Sequence, residues 1–129
     1  MRILIVEPRK CPREAEITDS LEEMQEVVGG NIQAIYPFED SAAVICNEEG
    51  SNLALPQNRA IYSKDGKKVV TIICGTFFIC DAPAWSEHFL SLSAEQLERY
   101  SALFAIPEVF VTTNLFTMVI PCIEGGGTL

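Results

Sequence analysis

Two nearby stretches of the chain carry the polar residues whose types and spacing best suit ligand binding. Asn47, Glu48 and Glu49 form the first stretch, and Asn58 and Arg59 form the second. Connections between strands often hold binding groups. A guanidinium pairs with a carboxylate through two parallel hydrogen bonds. The pattern therefore predicts an ion pair between Arg59 and either Glu48 or Glu49.

Two interpretations of these residues stay open. In the first, the connection is a turn held by that ion pair and by hydrogen bonds from Asn58 to the backbone. In the second, it forms a cleft with residues 75–78 that binds a small molecule or a nucleotide. The substitution Arg59→Ala separates the two, because it would abolish binding in the second and stability in the first. The candidate binding residues are Asn47, Glu48, Glu49, Asn58, Arg59 and Thr76.

Catalytic and metal-binding patterns are weak. His88 is the one histidine of the chain, and a triad would need Ser86 or Cys80 as nucleophile with Asp81 as the acid. Sequence neighbours do not provide that geometry, so we expect a surface or half-buried histidine. No CxxC pair and no phosphate-binding glycine pattern occurs. We expect no enzyme activity, no catalytic residues, no metal site and no cofactor.

The strands that must position these residues follow from short apolar, β-branched runs. Strands are predicted at residues 2–7, 32–38, 42–46, 59–62 and 67–73. The last of these overlaps a long apolar run at residues 69–80. Residues 39–40 and 64–66 are predicted hairpin turns. Gly75 indicates a bulge or a close backbone approach. Pro8 and Pro12 are predicted to end the first strand and to form an extended connection.

Helices are predicted from capping residues and apolar faces. Ser20 with Glu23 has capping-box spacing and opens a helix at 20–28. Ser93 with Gln96 opens a second helix that runs to about Phe104. Residues 85–90 are predicted as one further short helix. The fold class is therefore α+β: a single domain at 1–124, with a mainly antiparallel sheet of five or six strands and two or three short helices packed on it. We expect residues 125–129 to form a disordered tail.

The charge of the chain is strongly negative and unevenly distributed. The net charge is −9, and residues 14–58 hold ten acids and neither lysine nor arginine. A field of that sign repels phosphate backbones, so we do not expect direct nucleic-acid binding. It permits a basic protein partner. The simplest interpretation is a solvated negative surface over an apolar interior.

The five cysteines and the apolar segments indicate the compartment. The cysteines lie mostly in apolar runs and are expected to be buried free thiols, which indicates a reducing compartment. No apolar segment has the length of a membrane span, and no signal-peptide core is recognised. We therefore expect a cytoplasmic protein without membrane insertion.

Five separated strings carry a family resemblance. They are residues 2–8 (RILIVEP), 28–38 (VGGNIQAIYPF), 44–50 (VICNEEG), 55–60 (LPQNRA) and 75–79 (GTFFI). In this order and spacing they resemble the bacterial domain-of-unknown-function family 3846, over roughly residues 1–104. The resemblance implies a small accessory protein of mobile DNA, associated with conjugative elements and phages. It implies no reaction. The segment beyond Pro107 matches no pattern of the family.

Two functions are therefore expected as alternatives. The first is a non-enzymatic protein-interaction module of a mobile element, of which an acidic DNA mimic is one form. Binding of a mimic would weaken steeply with salt. The second is a small-molecule or nucleotide binder at the candidate residues. The apolar segment 109–123 is expected to add a final strand or to cover a partner, and it makes a homodimer a further expectation.

Overall fold

A computed structural model describes residues 1–122, which form nine strands and two helices. In chain order they are β1 (Arg2–Val6), β2 (Arg13–Glu16), α1 (Leu21–Val28), β3 (Ile32–Ile35), β4 (Ala42–Asn47), β5 (Gln57–Tyr62), β6 (Val69–Cys74), β7 (Phe77–Asp81), α2 (Ala94–Leu103), β8 (Glu108–Thr112) and β9 (Thr117–Pro121).

Five of these strands form one antiparallel sheet. Its order is β2-β1-β7-β4-β3, and β7 pairs with β1 and β4 on its two sides. The remaining strands form two separate two-stranded hairpins, β5–β6 and β8–β9. The predicted α+β class with a mainly antiparallel sheet of five strands is therefore confirmed.

The central sheet separates two apolar clusters, because successive side chains of a strand point to opposite faces. Ile3, Ile5 and Ile45 pack with α1 on one face, whereas Leu4 and Val44 belong to the cluster of α2 and β5–β6 on the other. All six residues of β4 are buried, as is typical of a strand covered on both faces. The α2 side holds Arg59, whereas Asn47 contacts α1 on the other side.

Both helices begin at the predicted caps. The Ser20 hydroxyl accepts a hydrogen bond from the backbone N–H of Glu23 at 3.3 Å, and α1 ends at Gly29 in the left-handed conformation. The Glu23 carboxylate instead accepts from the backbone N–H and the hydroxyl of Thr18. Ser93 and Gln96 form the full reciprocal capping box of α2.

Gly75 lies where the long apolar run divides into β6 and β7. Its φ is +86°, and a Cβ there would lie 2.8 Å from Cδ1 of Leu55. This confirms the predicted close approach, and it explains why a glycine stands at the turn.

The segment after β1 differs from its prediction. Residues 7–12 do not form a simple extended connection, because the N–H of Lys10 bonds the carbonyl of Glu7 at 3.2 Å and Arg9 adopts a φ of 63°. The turn brings back β2, which pairs antiparallel with β1. Arg2 forms ion pairs with Glu14 and Glu16 of β2. The sequence signal for β2 is weak because this edge strand is polar.

The short helix predicted at residues 85–90 is wrong. Leu90 forms an antiparallel bridge with Asp81, with N–O distances of 2.9 and 2.8 Å. The Ser86 hydroxyl bonds the backbone of His88 in both directions. Such side-chain bonds compete with helical ones, and β7 offers the backbone of Leu90 a strand partner.

The C-terminal segment forms two strands and not the single final strand expected. β8 and β9 pair from Glu108↔Pro121 to Thr112↔Thr117. The disordered tail expected at 125–129 lies outside the described residues, as does the end of the domain predicted at 124. Among the helices of residues 1–122, none has the length and apolarity needed to cross a membrane.

Candidate functional site

Asn58 is fully buried, and its amide group is occupied by contacts within the chain. Nδ2 donates to the carbonyl of Val6 and to the carbonyl of Gly75, both at 2.9 Å. Its side-chain oxygen accepts from Arg59 at 2.9 Å. Asn58 thereby joins the end of β1 to the turn between β6 and β7. The predicted hydrogen bonds from Asn58 to the backbone are confirmed.

Arg59 is 1% exposed, and its guanidinium makes five hydrogen bonds to oxygen atoms of the chain. Nε and Nη2 bond the carbonyl of Phe104 at 3.3 and 3.0 Å, and Nη2 also bonds the carbonyl of Lys10 at 2.7 Å. Nη1 bonds the backbone and side-chain oxygens of Asn58. A guanidinium has five N–H donors, so none is left for a ligand.

The position of Arg59 also suits the end of a helix. Phe104 is the C-cap of α2, where a cation interacts favourably with the unpaired carbonyls and the helix dipole. Burial lowers the pKa of Arg59, and the nearby carboxylate of Glu108 opposes that shift. We call Asn58, Arg59 and the oxygens they contact the Asn58–Arg59 cluster.

The ion pair predicted between Arg59 and Glu48 or Glu49 is wrong. Glu48 and Glu49 are exposed, and all contacts of the guanidinium are the oxygens of Phe104, Lys10 and Asn58. The guanidinium of Arg59 is buried and hydrogen-bonded to oxygen atoms of the chain, so it stabilises the fold. The residue type alone did not reveal that this side chain is inaccessible to a ligand.

Asn47 is also buried, and it caps α1 from outside the helix. Its Nδ2 donates to the carbonyl of Val28 at 3.2 Å, and its Oδ1 accepts from the N–H of Glu49 at 2.8 Å. The Glu49 carboxylate accepts from Asn52 at 3.0 Å. This arrangement is an Asx turn that fixes the chain after β4.

The structure does not bring the six candidate residues into one cavity. Asn47 and Glu48 line a hollow between β4 and β6, Arg59 lies at the floor of a groove beside α2, and Thr76 lines a third hollow with Glu7. The single cleft predicted from residues 47–59 and 75–78 is therefore absent from residues 1–122. Phe77 and Phe78 are both fully buried.

The groove beside α2 is the largest concave surface among those lined by the predicted residues, with a volume of about 1020 Å³. Three segments form its walls: the loop between β3 and β4, the β5–β6 hairpin, and the C-terminal half of α2. The lining residues are Pro37, Phe38, Glu39, Asp40, Arg59, Ala60, Ile61, Tyr62, Ser63, Lys64, Gly66, Arg99, Tyr100, Ala102, Leu103, Phe104, Ile106 and Glu108.

Aromatic rings form the inner part of this groove. The ring centroids of Phe38 and Tyr100 are 4.4 Å apart, and Phe104 lies edge-on to Phe38 at 6.3 Å. Tyr62, Leu103 and Ile106 stand at the exposed margin, with 41, 59 and 52% of their surface exposed. The groove can therefore bury apolar surface of a ligand without first moving a buried side chain.

Asp40 holds one wall of the groove in place. Its carboxylate accepts from the Tyr100 hydroxyl at 2.6 Å, Arg99 at 2.8 Å, the N–H of Ala42 at 2.9 Å and Gln96 at 3.3 Å. Burial acts to raise the pKa of Asp40, but these hydrogen bonds and the Arg99 charge outweigh it and lower the pKa overall. Burial and the Asp40 carboxylate raise the pKa of Tyr100. The Tyr100 hydroxyl thus stays protonated and fixed as a donor.

Comparison with known proteins identifies a family. The chain matches the family model described as Domain of unknown function (DUF3846) over residues 1–105. The chain belongs to this family. The match confirms the resemblance predicted for roughly residues 1–104. No curated protein and no solved structure matches significantly. The matched part contains α2 and most of the groove, whereas the β8–β9 hairpin of this DUF3846 protein lies beyond it.

The acidic block of this DUF3846 chain is divided between both sides of the sheet. Glu14 lies opposite Leu4 in the β1–β2 register and thus on the α2 side, whereas Glu22 and Glu26 are exposed on α1 at the other side. Glu14, Glu16, Asp19 and Asp40 each lie within 4.0 Å of a basic group. The ten acids therefore do not form one flat negative face.

The remaining reactive side chains are dispersed. His88 is a surface residue, as expected, and its Nδ1 lies 3.2 Å from Asp19. All five cysteines are free, but only Cys46 and Cys80 are buried, while Cys11 is exposed. Burial raises the pKa of Cys80 to about 12, so its thiol is unreactive. Within residues 1–122, no group of three His, Cys, Asp or Glu could hold a metal ion.

The groove was missed from the sequence because its walls come from segments far apart in the chain. One local signal was present. At helical spacing Leu97, Tyr100 and Phe104 form an apolar stripe along α2, and all three are buried. Leu103 is apolar but lies off that stripe, and it is the residue that projects into the groove margin.

Proposed function

We propose that this protein is a non-enzymatic binding module that holds an apolar segment of a partner protein in the groove beside α2. The main support is the exposure of Tyr62, Leu103 and Ile106 along one concave surface. Contiguous exposed apolar surface of this kind is typical of interaction sites. The aromatic inner wall offers the type of pocket in which interface anchors bind.

The charges around the groove favour this form of interaction over an acidic DNA mimic. The groove is lined by three acids, Glu39, Asp40 and Glu108, and by three bases, Arg59, Lys64 and Arg99. A balanced set gives little long-range attraction to a strongly basic partner. We therefore expect binding that depends on apolar burial and changes little with salt concentration.

The occupied donors of Arg59 and Asn58 weigh against the small-molecule or nucleotide alternative. A phosphate would have to break hydrogen bonds that hold β1, β5 and α2 together. Glu48, Glu49 and Thr76 do not offer a phosphate hydrogen bonds that would replace the ones it breaks.

The cellular setting remains part of the proposal. We propose a cytoplasmic protein, since free thiols are typical of a reducing compartment. We also propose an accessory role on a mobile element, on the basis of the family resemblance. The partner would then be a host protein or a protein of the element itself.

A selected peptide provides the test. A random peptide library is selected on the immobilised protein, and the Kd of a synthetic hit is measured by fluorescence anisotropy. We expect apolar or aromatic anchors in the hits. Leu103→Glu should raise the Kd about tenfold or more, because a buried unpaired charge opposes binding.

Leu53→Glu is the matched control. Leu53 and Leu103 are both 59% exposed, but Leu53 does not line the groove. The Kd should be unchanged by Leu53→Glu and nearly unchanged between low and high salt. Equal effects of the two substitutions, or hits that bind through charge alone, would contradict the proposal.

A further inference from the structure

The β8–β9 hairpin carries apolar side chains on both of its faces. Residues directly opposite each other in an antiparallel pair share a face. Val109 pairs with Ile120 and Val111 with Met118 on one face, while Phe110 pairs with Val119 on the other. A hairpin with one covered face usually alternates apolar with polar residues. This one does not, so both of its faces carry apolar surface that packing would bury.

One face is covered by the rest of the chain. The Glu108 carboxylate accepts from the backbone N–H of Ala60 in β5 at 2.8 Å. Phe110 stands two residues from Glu108, so the two side chains point to the same side. Phe110 and Val119 are half-buried. The face of Glu108 is therefore the inner face of the hairpin.

The opposite face is only partly covered within residues 1–122. We call Val109, Val111, Met118 and Ile120 the outer face. Val109 and Ile120 are half-buried, whereas Val111 and Met118, nearer the tip of the hairpin, are 40 and 42% exposed. A two-stranded hairpin is only marginally stable without packing partners, so an open apolar face of this kind benefits from a second surface.

The charge distribution decides which surface fits. Residues 109–122 contain no Asp, Glu, Lys or Arg, although the chain carries a net charge of −9. Two copies of so acidic a chain repel each other least where each presents no charge. A basic partner would gain nothing from this face.

We propose that two copies of this chain associate through their outer faces, in an isologous contact about a two-fold axis. Each copy then buries Val109, Val111, Met118 and Ile120 against the same residues of the other. This contact uses a surface separate from the groove beside α2, so it is independent of the proposed peptide binding.

Sedimentation equilibrium over a wide range of concentrations tests this association. The wild-type chain of 14.2 kDa should approach twice that mass as its concentration rises. The double variant Val111→Thr/Met118→Thr keeps residues that favour strands but removes the apolar contact. We expect its dimer dissociation constant to rise about tenfold or more.

Val70→Thr is the matched control. Val70 lies on β6 and is 64% exposed, but it is not part of the outer face. This variant should dimerise like the wild type, and circular dichroism should show all variants folded. A wild-type protein that stays monomeric at every concentration overturns the proposal without any variant. Equal dimerisation of the double variant, or dissociation by Val70→Thr, overturns it as well.

Discussion

Asn58 and Arg59 of the Asn58–Arg59 cluster lie on β5, and the β8–β9 hairpin is joined to β5 through Glu108. The two regions reverse the usual distribution of polar and apolar residues. The cluster is polar and fully buried, whereas the hairpin holds Leu115 and Phe116 at 89 and 55% exposure. Charged side chains are seldom fully buried, and apolar patches on a surface usually have a partner. The two regions therefore differ in where their partners are.

For the cluster, every partner lies within the chain. Nε and Nη2 of Arg59 bond the end of α2 and the turn at Lys10, and Nη1 bonds the oxygens of Asn58. Both amide hydrogens of Asn58 bond oxygens of β1 and of the turn at Gly75. The hairpin is covered by the chain only in part, and its tip stays exposed. Polarity alone thus did not indicate the proposed binding surfaces of this molecule, which rest on exposed apolar side chains.

The largest loss in the free energy of unfolding is expected from Arg59→Ala. The carbonyls of Phe104 and Lys10 and the side-chain oxygen of Asn58 would lose their donor. Buried acceptors left unpaired cost roughly 1–3 kcal/mol each, so the free energy of unfolding should fall by about 4 kcal/mol. Urea denaturation followed by circular dichroism measures this loss.

Arg13→Ala provides the comparison for a surface arginine. Arg13 pairs with Glu7 at 3.0 Å and is more than half exposed. Exposed ion pairs contribute roughly 0–1 kcal/mol, so this variant should be nearly as stable as the wild type. If Arg59→Ala were equally mild, the cluster would not be a folding element and a ligand-binding role for Arg59 would regain support.

Many of the helix ends, turns and strands could be predicted because the residues that determine them are close together in the chain. Capping at Ser20 and Ser93 and the turn at Gly66 depend on residues near each other in the chain, and all three were correct. The β-branched run at residues 2–7 likewise predicted β1, whereas β7 lay inside the apolar run at 69–80 and was not predicted as a strand of its own.

The candidate site was harder to predict because its contacts are long-range. Arg59 is 45 residues away from Phe104 and 49 away from Lys10, so local spacing gave Glu48 and Glu49 as partners instead. The polar strand β2 and the bridge at Leu90 were missed for the same reason. Their backbone partners, β1 and β7, are supplied only by the assembled sheet.

Glu108 lies between the two regions, and its titration should change the free energy of unfolding by an intermediate amount. Burial raises the pKa of Glu108 above its ordinary value, although the hydrogen bond from Ala60 and the Arg59 charge oppose this. Between the ordinary and the raised pKa, the folded chain holds a proton that the unfolded chain has released. The contribution of Glu108 is therefore fully present below the ordinary pKa and is lost as pH rises through the folded pKa.

Glu108→Gln isolates that contribution. The amide oxygen still accepts from Ala60 but does not titrate. The free energy of unfolding of the wild type, minus that of the variant, should decrease as pH rises from below the ordinary pKa toward neutrality. Denaturant titrations at several pH values measure it, and the subtraction removes the other titrating groups. A constant difference would mean that Glu108 is solvated and that the hairpin is not tied to β5 through it. A rising difference would mean that the Arg59 charge and the Ala60 hydrogen bond outweigh burial and lower the pKa of Glu108.

The smallest effect is expected from Leu115→Ser at the hairpin tip, measured at a concentration low enough for the chain to be monomeric. Because Leu115 is 89% exposed, the free energy of unfolding should change by no more than about 0.5 kcal/mol. Leu97→Ser in α2 should cost about 3 kcal/mol or more, because Leu97 is buried in the core. A comparable loss from Leu115→Ser would mean that the tip packs within the monomer. The hairpin would then be satisfied by its own chain, as the Asn58–Arg59 cluster is, and its apolar surface would no longer argue for a second copy.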